Sequence, residues 1–296
     1  MGWTSRNDRA QEALDSLTAK LIDAMESDPG SWTQPWRGTL PANGVTGRRY
    51  SGSNILLLGL TAGERGYESS RWATFKQWKD AGCSVRKGER SSVVVFYKSL
   101  RVPDETSDDP DATKSIPLLR YSSVFAAEQV EGEHAARLCA PAETFDADER
   151  AERFFAEVGA DVRNGGDSAH YSKTTDAITL PPRSAFESAA GYYSVVAHEH
   201  VHWTGGPTRL DRIAHKRFGD DEYAREELVA ELGSVFVMSR LGVAHEPDQR
   251  QAAYLAHWNA HLRSKPRDLW SVVGDASAAL ELLVQRAEAA QEQEAA

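Results

Sequence analysis

The sequence predicts an α+β protein of two domains, and three observations predict it. Charge is partitioned along the chain, helical periodicities are mixed with short β-branched runs, and two unrelated kinds of chemistry occupy different halves. The expected domains span residues 1–135 and 143–296, the first small and of α/β character, the second mainly helical with a small sheet. A length of 296 residues with 41% hydrophobic content is enough for one or two real cores. Gly and Pro are not in excess and no long repeat is visible, which excludes fibrous and solenoid classes. The longest apolar run, Ile55 to Leu60, is too short to cross a bilayer, and no signal-type apolar core follows Met1-Gly2-Trp3. The expectation is a soluble, cytoplasmic protein without a membrane partner. Cys83 and Cys139 have no metal-type spacing and read as free thiols.

The net charge of −10 is an average over opposites. Between Ser31 and Arg101 there are 12 basic residues against 4 acidic ones, and the rest of the chain holds 22 basic against 40 acidic. A basic unit joined to an acidic one fits a polyanion-binding module beside a second module with other work.

In chain order, Asp8 to Glu26 reads as an amphipathic helix, with Ala13, Leu14, Leu17, Leu21 and Ile22 at helical spacing. Pro41-Ala42-Asn43-Gly44 and Thr46-Gly47 are turn chemistry. Asn54 to Ala62 and Thr74 to Ala81 read as helices, Val93 to Tyr97 as a strand, and the acidic, proline-bearing stretch from Pro103 to Lys114 as an exposed loop. Leu118 to Phe125 returns as a second strand, and a boundary falls near Gly132 to Glu143. Asp146 to Val158 restarts as a helix, and Ala177 to Leu180 is a short strand before Pro181-Pro182. Tyr192 to Trp203, Ala224 to Leu241 and Gln251 to Leu262 read as helices, and the Ala/Glu/Gln tail after Val284 as a fraying helix end.

The sharpest motif is His198-Glu199-His200-Val201-His202. His198 and His202 stand at i and i+4, so both imidazoles leave one face of a helix and reach one ion at about 2.0–2.1 Å. Glu199 lies beside a bound water, where it acts as the catalytic base. A catalytic zinc site also needs a third protein ligand, and Glu227 on the next strong helix is the candidate. Glu231, four residues on, suits holding a ligand histidine by its free N–H, and Glu226 is the alternative ligand. Zinc is favoured by this donor set, while other divalent ions such as Mn2+ are compatible with it. His200 faces away from the pair and reads as solvated or packed. Tyr171 and His170 are placed to assist at the substrate side, although strand packing accounts for both.

In the basic stretch, cations alternate with Trp32, Trp36, Tyr50, Trp72, Phe75, Trp78, Phe96 and Tyr97. Single-stranded nucleic acid is held by cations along its phosphates and rings against its unpaired bases. Most of these aromatics are expected in the core, so the charge excess carries the reading. The residues expected at DNA are Trp36, Arg48, Arg49, Tyr50, Asn54, Trp72, Lys76, Arg86 and Lys87.

Gln34-Pro35-Trp36, the run from Pro41 through Asn43, Thr46-Gly47, Tyr50 and Gly52 to Asn54, Trp72-Ala73-Thr74-Phe75-Lys76-Gln77 and Val85-Arg86-Lys87-Gly88-Glu89 together resemble the N-terminal domain of ArdC-like antirestriction proteins. Asp176, Leu180-Pro181, Tyr192-Tyr193, His198 to Gly205, Arg209-Leu210 and Tyr223 to Leu228 resemble the zincin-type metallopeptidase domain of the same family. The blocks occur in the family's order and span nearly the whole chain. Departures are small: Ser53 stands where Ile or Val is more usual, and 103–114 is variable territory. The resemblance implies a single-stranded-DNA-binding domain followed by a zincin-like metal-dependent one. It also implies a protein of plasmids or phages that protects incoming DNA from restriction. Two further functions compete with that reading. One is an active metalloprotease cleaving an unknown host protein or peptide, with DNA binding for targeting only. The other is a domain whose metal is structural.

Overall fold

The computed structural model describes residues 15, 16, 19, 40–103, 113–139, 147–213, 221–245 and 268–294. The expected helix at Asp8 to Glu26 is described only at Asp15, Ser16 and Ala19, all helical, and the helix expected at Gln251 to Leu262 lies outside the described residues. The chain divides into two compact units between Leu138 and Ala147, with the stretch Tyr50–Ser53 assigned to the second. Among the described residues no helix is long and apolar enough to cross a membrane.

The first unit is built on a four-stranded sheet in the order β1-β2-β5-β4, where β1 is Ala42–Asn43, β2 Arg71–Thr74, β4 Ser92–Pro103 and β5 Thr113–Ala126. β1 runs parallel to β2, and the remaining pairs are antiparallel. By register, Trp72, Val94 and Val124 share one face of the sheet, and all three are buried. Helix α1 spans Ser53–Arg65. Its run Ile55 to Leu58 is buried, and Asn54 ties it to β4, donating to the carbonyl and accepting from the amide of Val95, both at 2.7 Å. The opposite face carries Ala73 into a second cluster with Trp78, Cys83, Val130 and Ala135. Trp78 comes from the short helix α2, Phe75–Asp80. That helix starts where it does because Thr74 and Gln77 form a capping box. A two-stranded ribbon of β3 (Ser84–Val85) and β6 (Val130–Glu131) and helix α3 (Glu133–Leu138) complete the unit.

The loop expected over 103–114 is corrected at its two ends, while 104–112 lie outside the described residues. The β4–β5 ladder continues from Ser92↔Val124 to Pro103↔Thr113, so Pro103, Thr113 and Lys114 are strand residues. β2 pairs only with Val124 to Ala126, so most of the ladder is a two-stranded arm. Such an arm is held by its own backbone hydrogen bonds and tolerates polar residues that a sheet interior would reject.

The second unit holds a three-stranded sheet in the order β7-β9-β8, formed by Asp161–Asn164, Ala177–Leu180 and His170–Ser172. It also holds four described helices, α4 (Ala147–Val158), α5 (Ala189–Thr204), α6 (Asp221–Leu241) and α7 (Asp268–Glu294), of which α5 packs on β8 and β9 and the others pack helix on helix. The tail expected to fray after Val284 is the end of α7. Leu269, Val272, Val273, Ala276, Leu280, Leu283 and Ala287 recur at helical spacing and are buried, which holds the helix as far as Ala287, and the last turns to Glu294 are helical without burial.

Helices α5 and α6 approach closely at one point. A Cβ added to Gly233 of α6 would lie 2.8 Å from both γ-methyls of Val201. Val201 is β-branched and buried, so it has no other rotamer to retreat into. Gly233→Ala gains helix propensity of about 1 kcal/mol, yet wedging the helices apart costs about 1–3 kcal/mol. The expected net effect is a lower melting temperature, read by thermal denaturation. An unchanged or raised value would show that the helices do not need so close an approach.

Candidate functional site

The site is assembled from α5 and α6. Helix α5 begins at Ser188, whose hydroxyl accepts from the Gly191 amide at 2.8 Å. From Val196 to Thr204 its residues are buried except His202, which is half-buried, and Glu199 and His200 are among the buried ones. One turn apart on this helix, the Nε2 atoms of His198 and His202 stand 3.1 Å from each other. Glu227 faces both, with one carboxylate oxygen 3.5 Å from His198 Nε2 and the other 3.6 Å from His202 Nε2.

These distances test whether an ion fits. Two ligands bonded at about 2.0–2.1 Å and spread at tetrahedral angles lie about 3.3 Å apart. The separation of the two Nε2 atoms and the approach of one Glu227 oxygen to each of them lie around that value, and one donor atom from each of the three residues lies within 4.8 Å of the others. The donor set, two imidazoles and one carboxylate, is that of catalytic zinc sites.

The outward nitrogens of the histidines are backed as well. His198 Nδ1 is 3.5 Å from Glu231, and His202 Nδ1 is 3.5 Å from Glu226. Glu226 is held in turn by Arg212 at 3.0 Å, and Arg212 donates to the carbonyl of Val201 at 2.8 Å and to the hydroxyl of Thr204 at 3.1 Å. Behind Glu231 stands His245, 3.8 Å away and hydrogen-bonded to Ser234. The site is thus a buried knot of negative charge facing two imidazoles. Burial disfavours protonated His202, but Glu226 and Glu227 outweigh it and push its pKa up to about 9. His198 is likewise held well above the ordinary range, because Glu227 and Glu231 overcome its burial. Burial would raise Glu226, yet His202 and Arg212 bring it down to about 2, and Glu227 is held below the usual carboxylate range by the two histidines. A cluster that holds protons this tightly is one that favours a cation at its centre.

His200 points elsewhere. Its Nδ1 donates to the Val196 carbonyl at 2.7 Å, its ring lies 4.7 Å from that of Phe155, and burial pushes its pKa down to about 4. Of the two expected outcomes for it, solvated or packed, it is packed.

A cavity of about 320 Å3 opens on the site, lined by His198, Glu199, His202 and Glu227 on one side and by His170, Tyr171 and Tyr223 on the other. The Tyr171 hydroxyl donates to Asp176 at 2.8 Å and accepts from Arg209 at 3.0 Å, and burial with the Asp176 bond pushes its pKa up to about 12. Arg209 is buried, stacked on the Trp203 ring at 4.1 Å and paired with both carboxylate oxygens of Asp176. Asp176 itself sits in the left-handed region at φ 50°, which Asp tolerates better than most residues. This brace fastens the segment after α5 to the β8–β9 turn beside the cavity. Arg212 and His245 are site neighbours that no sequence pattern marks, because both lie in irregular segments.

The residues expected at DNA separate by burial. Arg48, Arg49, Arg86 and Lys87 are exposed, Tyr50 is half-buried, and the Lys76 side chain is 83% exposed and ion-paired with Asp80. Trp72 is a correction: it is fully buried, edge-on to Tyr67, and has no face for a base. Asn54 is a second, since its amide is committed to the Val95 backbone. Trp36 lies outside the described residues.

With this geometry in place, known proteins are informative. A profile of the N-terminal domain of the anti-restriction factor ArdC matches residues 11–125, and one of zincin-like metallopeptidases matches residues 149–275. The metal-free crystal structure of the antirestriction protein ArdC from plasmid R388 superposes with a TM-score of 0.76 at 37% identity, covering 93% of this chain and 97% of that one. Its Mn(II)-bound form superposes at 0.72. The uncharacterized protein y4eC of Sinorhizobium fredii is 34% identical over 274 residues, 90% of this chain and 89% of that protein. The DNA primase TraC of Escherichia coli is 34% identical over 284 residues, but this chain spans only 26% of its length.

Proposed function

The chain belongs to the ArdC family of antirestriction proteins, with a zincin-like second domain, and from that premise we propose that it binds single-stranded DNA through its first unit and holds a divalent ion, natively zinc, through His198, His202 and Glu227. In this reading the protein is carried by a plasmid or phage and shields incoming DNA from restriction in the host cytoplasm. The expected division into domains 1–135 and 143–296 assigns one task to each. The observation that carries the metal half is the convergence of three donor atoms on one point. For the DNA half, support comes from Arg48, Arg49, Lys76, Arg86 and Lys87 standing in solvent on a segment with a marked positive excess.

An ion held between these three residues supplies Lewis acidity toward a carbonyl or water oxygen in the cavity. Glu226 and Glu231 fix the ring orientation of the two histidines through their Nδ1 atoms and leave the Nε2 atoms turned to the ion. Glu199 lines the cavity beside His198, which supports its reading as the base that would take a proton from a water there. That position favours a second reading, an active metallopeptidase acting on a protein, with DNA binding for targeting.

The test of the DNA half is a titration of the intact protein against a labelled oligonucleotide at several salt concentrations. If about five phosphates are contacted, affinity for the single strand falls about a hundred-fold between 50 and 200 mM salt. Absence of binding, or binding indifferent to salt, overturns it.

A further inference from the structure

We propose that Phe75 is the ring on which an unpaired DNA base stacks, beside a phosphate-contacting turn, Arg48-Arg49, that Asn43 and Gln77 lock against the same helix start. The inference rests on the DNA-binding reading above and names where on the first unit that binding happens.

Phe75 is 56% exposed, whereas Trp72 and Trp78, its neighbours in sequence, are fully buried. A large ring left in water at the first position of a helix calls for an explanation, since burying it would be favourable. The ring is not loose. Its near neighbour is Phe125, edge-on at 6.5 Å, and the capping box fixes the backbone that carries it.

The carbonyl oxygen of the Gln77 side chain accepts three hydrogen bonds: from the Thr74 amide at 3.0 Å, the Thr74 hydroxyl at 3.0 Å and the Asn43 side-chain amide at 3.1 Å. The other end of the Asn43 side chain accepts from the amides of Val45 and Thr46 at 3.0 and 2.9 Å. Those bonds shape a tight turn that puts Gly47 at φ 73° and presents Arg48 and Arg49 in solvent. The turn is closed by the Asn43 amide, which donates to the Arg48 carbonyl at 2.7 Å. Two side-chain amides therefore bolt an arginine-bearing turn to the helix start that carries Phe75. Lys76 follows directly, and Lys79, exposed, shares the helix face of Phe75 at i+4.

One exposed ring on a preorganised frame that also carries Arg48, Arg49, Lys76 and Lys79 suits a strand whose bases are unpaired. A duplex keeps its base faces stacked inside and offers such a ring nothing. The positive charge of the turn is complementary to phosphate and carries no sequence readout.

The test compares intact wild-type, Phe75→Ala, Arg48→Ala/Arg49→Ala and Phe96→Ala proteins by fluorescence anisotropy. The probes are a thymidine oligomer, the same backbone with abasic sites, and a duplex. Phe96 is the control, since it is 46% exposed but lies on β4, at the opposite edge of the sheet from β1. Phe75→Ala is expected to weaken thymidine-oligomer binding about 5- to 100-fold and to erase the preference for it over the abasic backbone. The arginine double variant weakens both single-stranded probes and flattens the salt slope by about 0.7 for each phosphate that is no longer neutralised. Phe96→Ala binds as wild type. Wild-type affinity in Phe75→Ala, or equal wild-type affinity for thymidine and abasic strands, overturns the inference while leaving DNA binding intact. No binding by the wild type refutes the underlying reading instead.

Discussion

Glu227→Ala is expected to lose its divalent ion, with affinity falling at least about a hundred-fold relative to wild type. Removing a partner that merely orients a ligand typically costs 10- to 100-fold, and Glu227 is the carboxylate that faces both imidazole Nε2 atoms. Neither neighbouring glutamate is free to replace it. Glu226 is held by Arg212 behind His202, and Glu231 stands behind His198 next to His245. Glu226→Ala and Glu231→Ala should therefore show only the smaller, orienting loss. Stability provides a second readout. Free ion at a hundred times its dissociation constant stabilises a folded protein by about 2.7 kcal/mol, so wild type should gain melting temperature on adding zinc or manganese and Glu227→Ala should not. Isothermal titration with each metal, beside thermal melts, measures both effects. Stoichiometric, tight binding in Glu227→Ala would mean that the third donor is another residue.

The two halves differ in how much of them is legible from residues alone. The i, i+4 spacing of His198 and His202 translates directly into geometry, because a helix leaves no choice about which face they share. Choosing among Glu226, Glu227 and Glu231 is harder. It depends on the phase of α6 and on how closely α6 crosses α5, which the Gly233–Val201 approach decides and no local pattern reveals. Arg212 and Arg209 reach the site from a segment without periodicity, so their roles follow only from the folded path. In the first unit, cations and aromatics interleave plainly, but hydrophobicity does not distinguish a ring in the core from one in solvent. Trp72 and Phe75 are three residues apart and look alike in sequence, yet one is fully buried and the other stands in water. The β4–β5 arm is missed at its far end because its pairing is a backbone ladder, and the acidic, proline-bearing sequence there carries no alternation that would mark a strand.

Glu199→Gln separates the two functional readings, since it keeps shape and hydrogen bonding while removing the base. Glu199 is not among the three converging donors, so the variant should bind the ion with wild-type stoichiometry and close to wild-type affinity. Any peptide hydrolysis that depends on a proton taken up at the cavity wall should fall by 10²- to 10⁴-fold, roughly the contribution of a general base. DNA binding, proposed for the other compact unit, is expected not to change. Protection of transferred DNA in a recipient cell with an active restriction system then decides the matter. If shielding by the first unit is the function, Glu199→Gln protects as well as wild type, while Arg48→Ala/Arg49→Ala does not. Loss of protection in a Glu199→Gln protein that still holds its metal and its oligonucleotide would assign the effect to chemistry at the metal, acting on a protein of the restriction machinery.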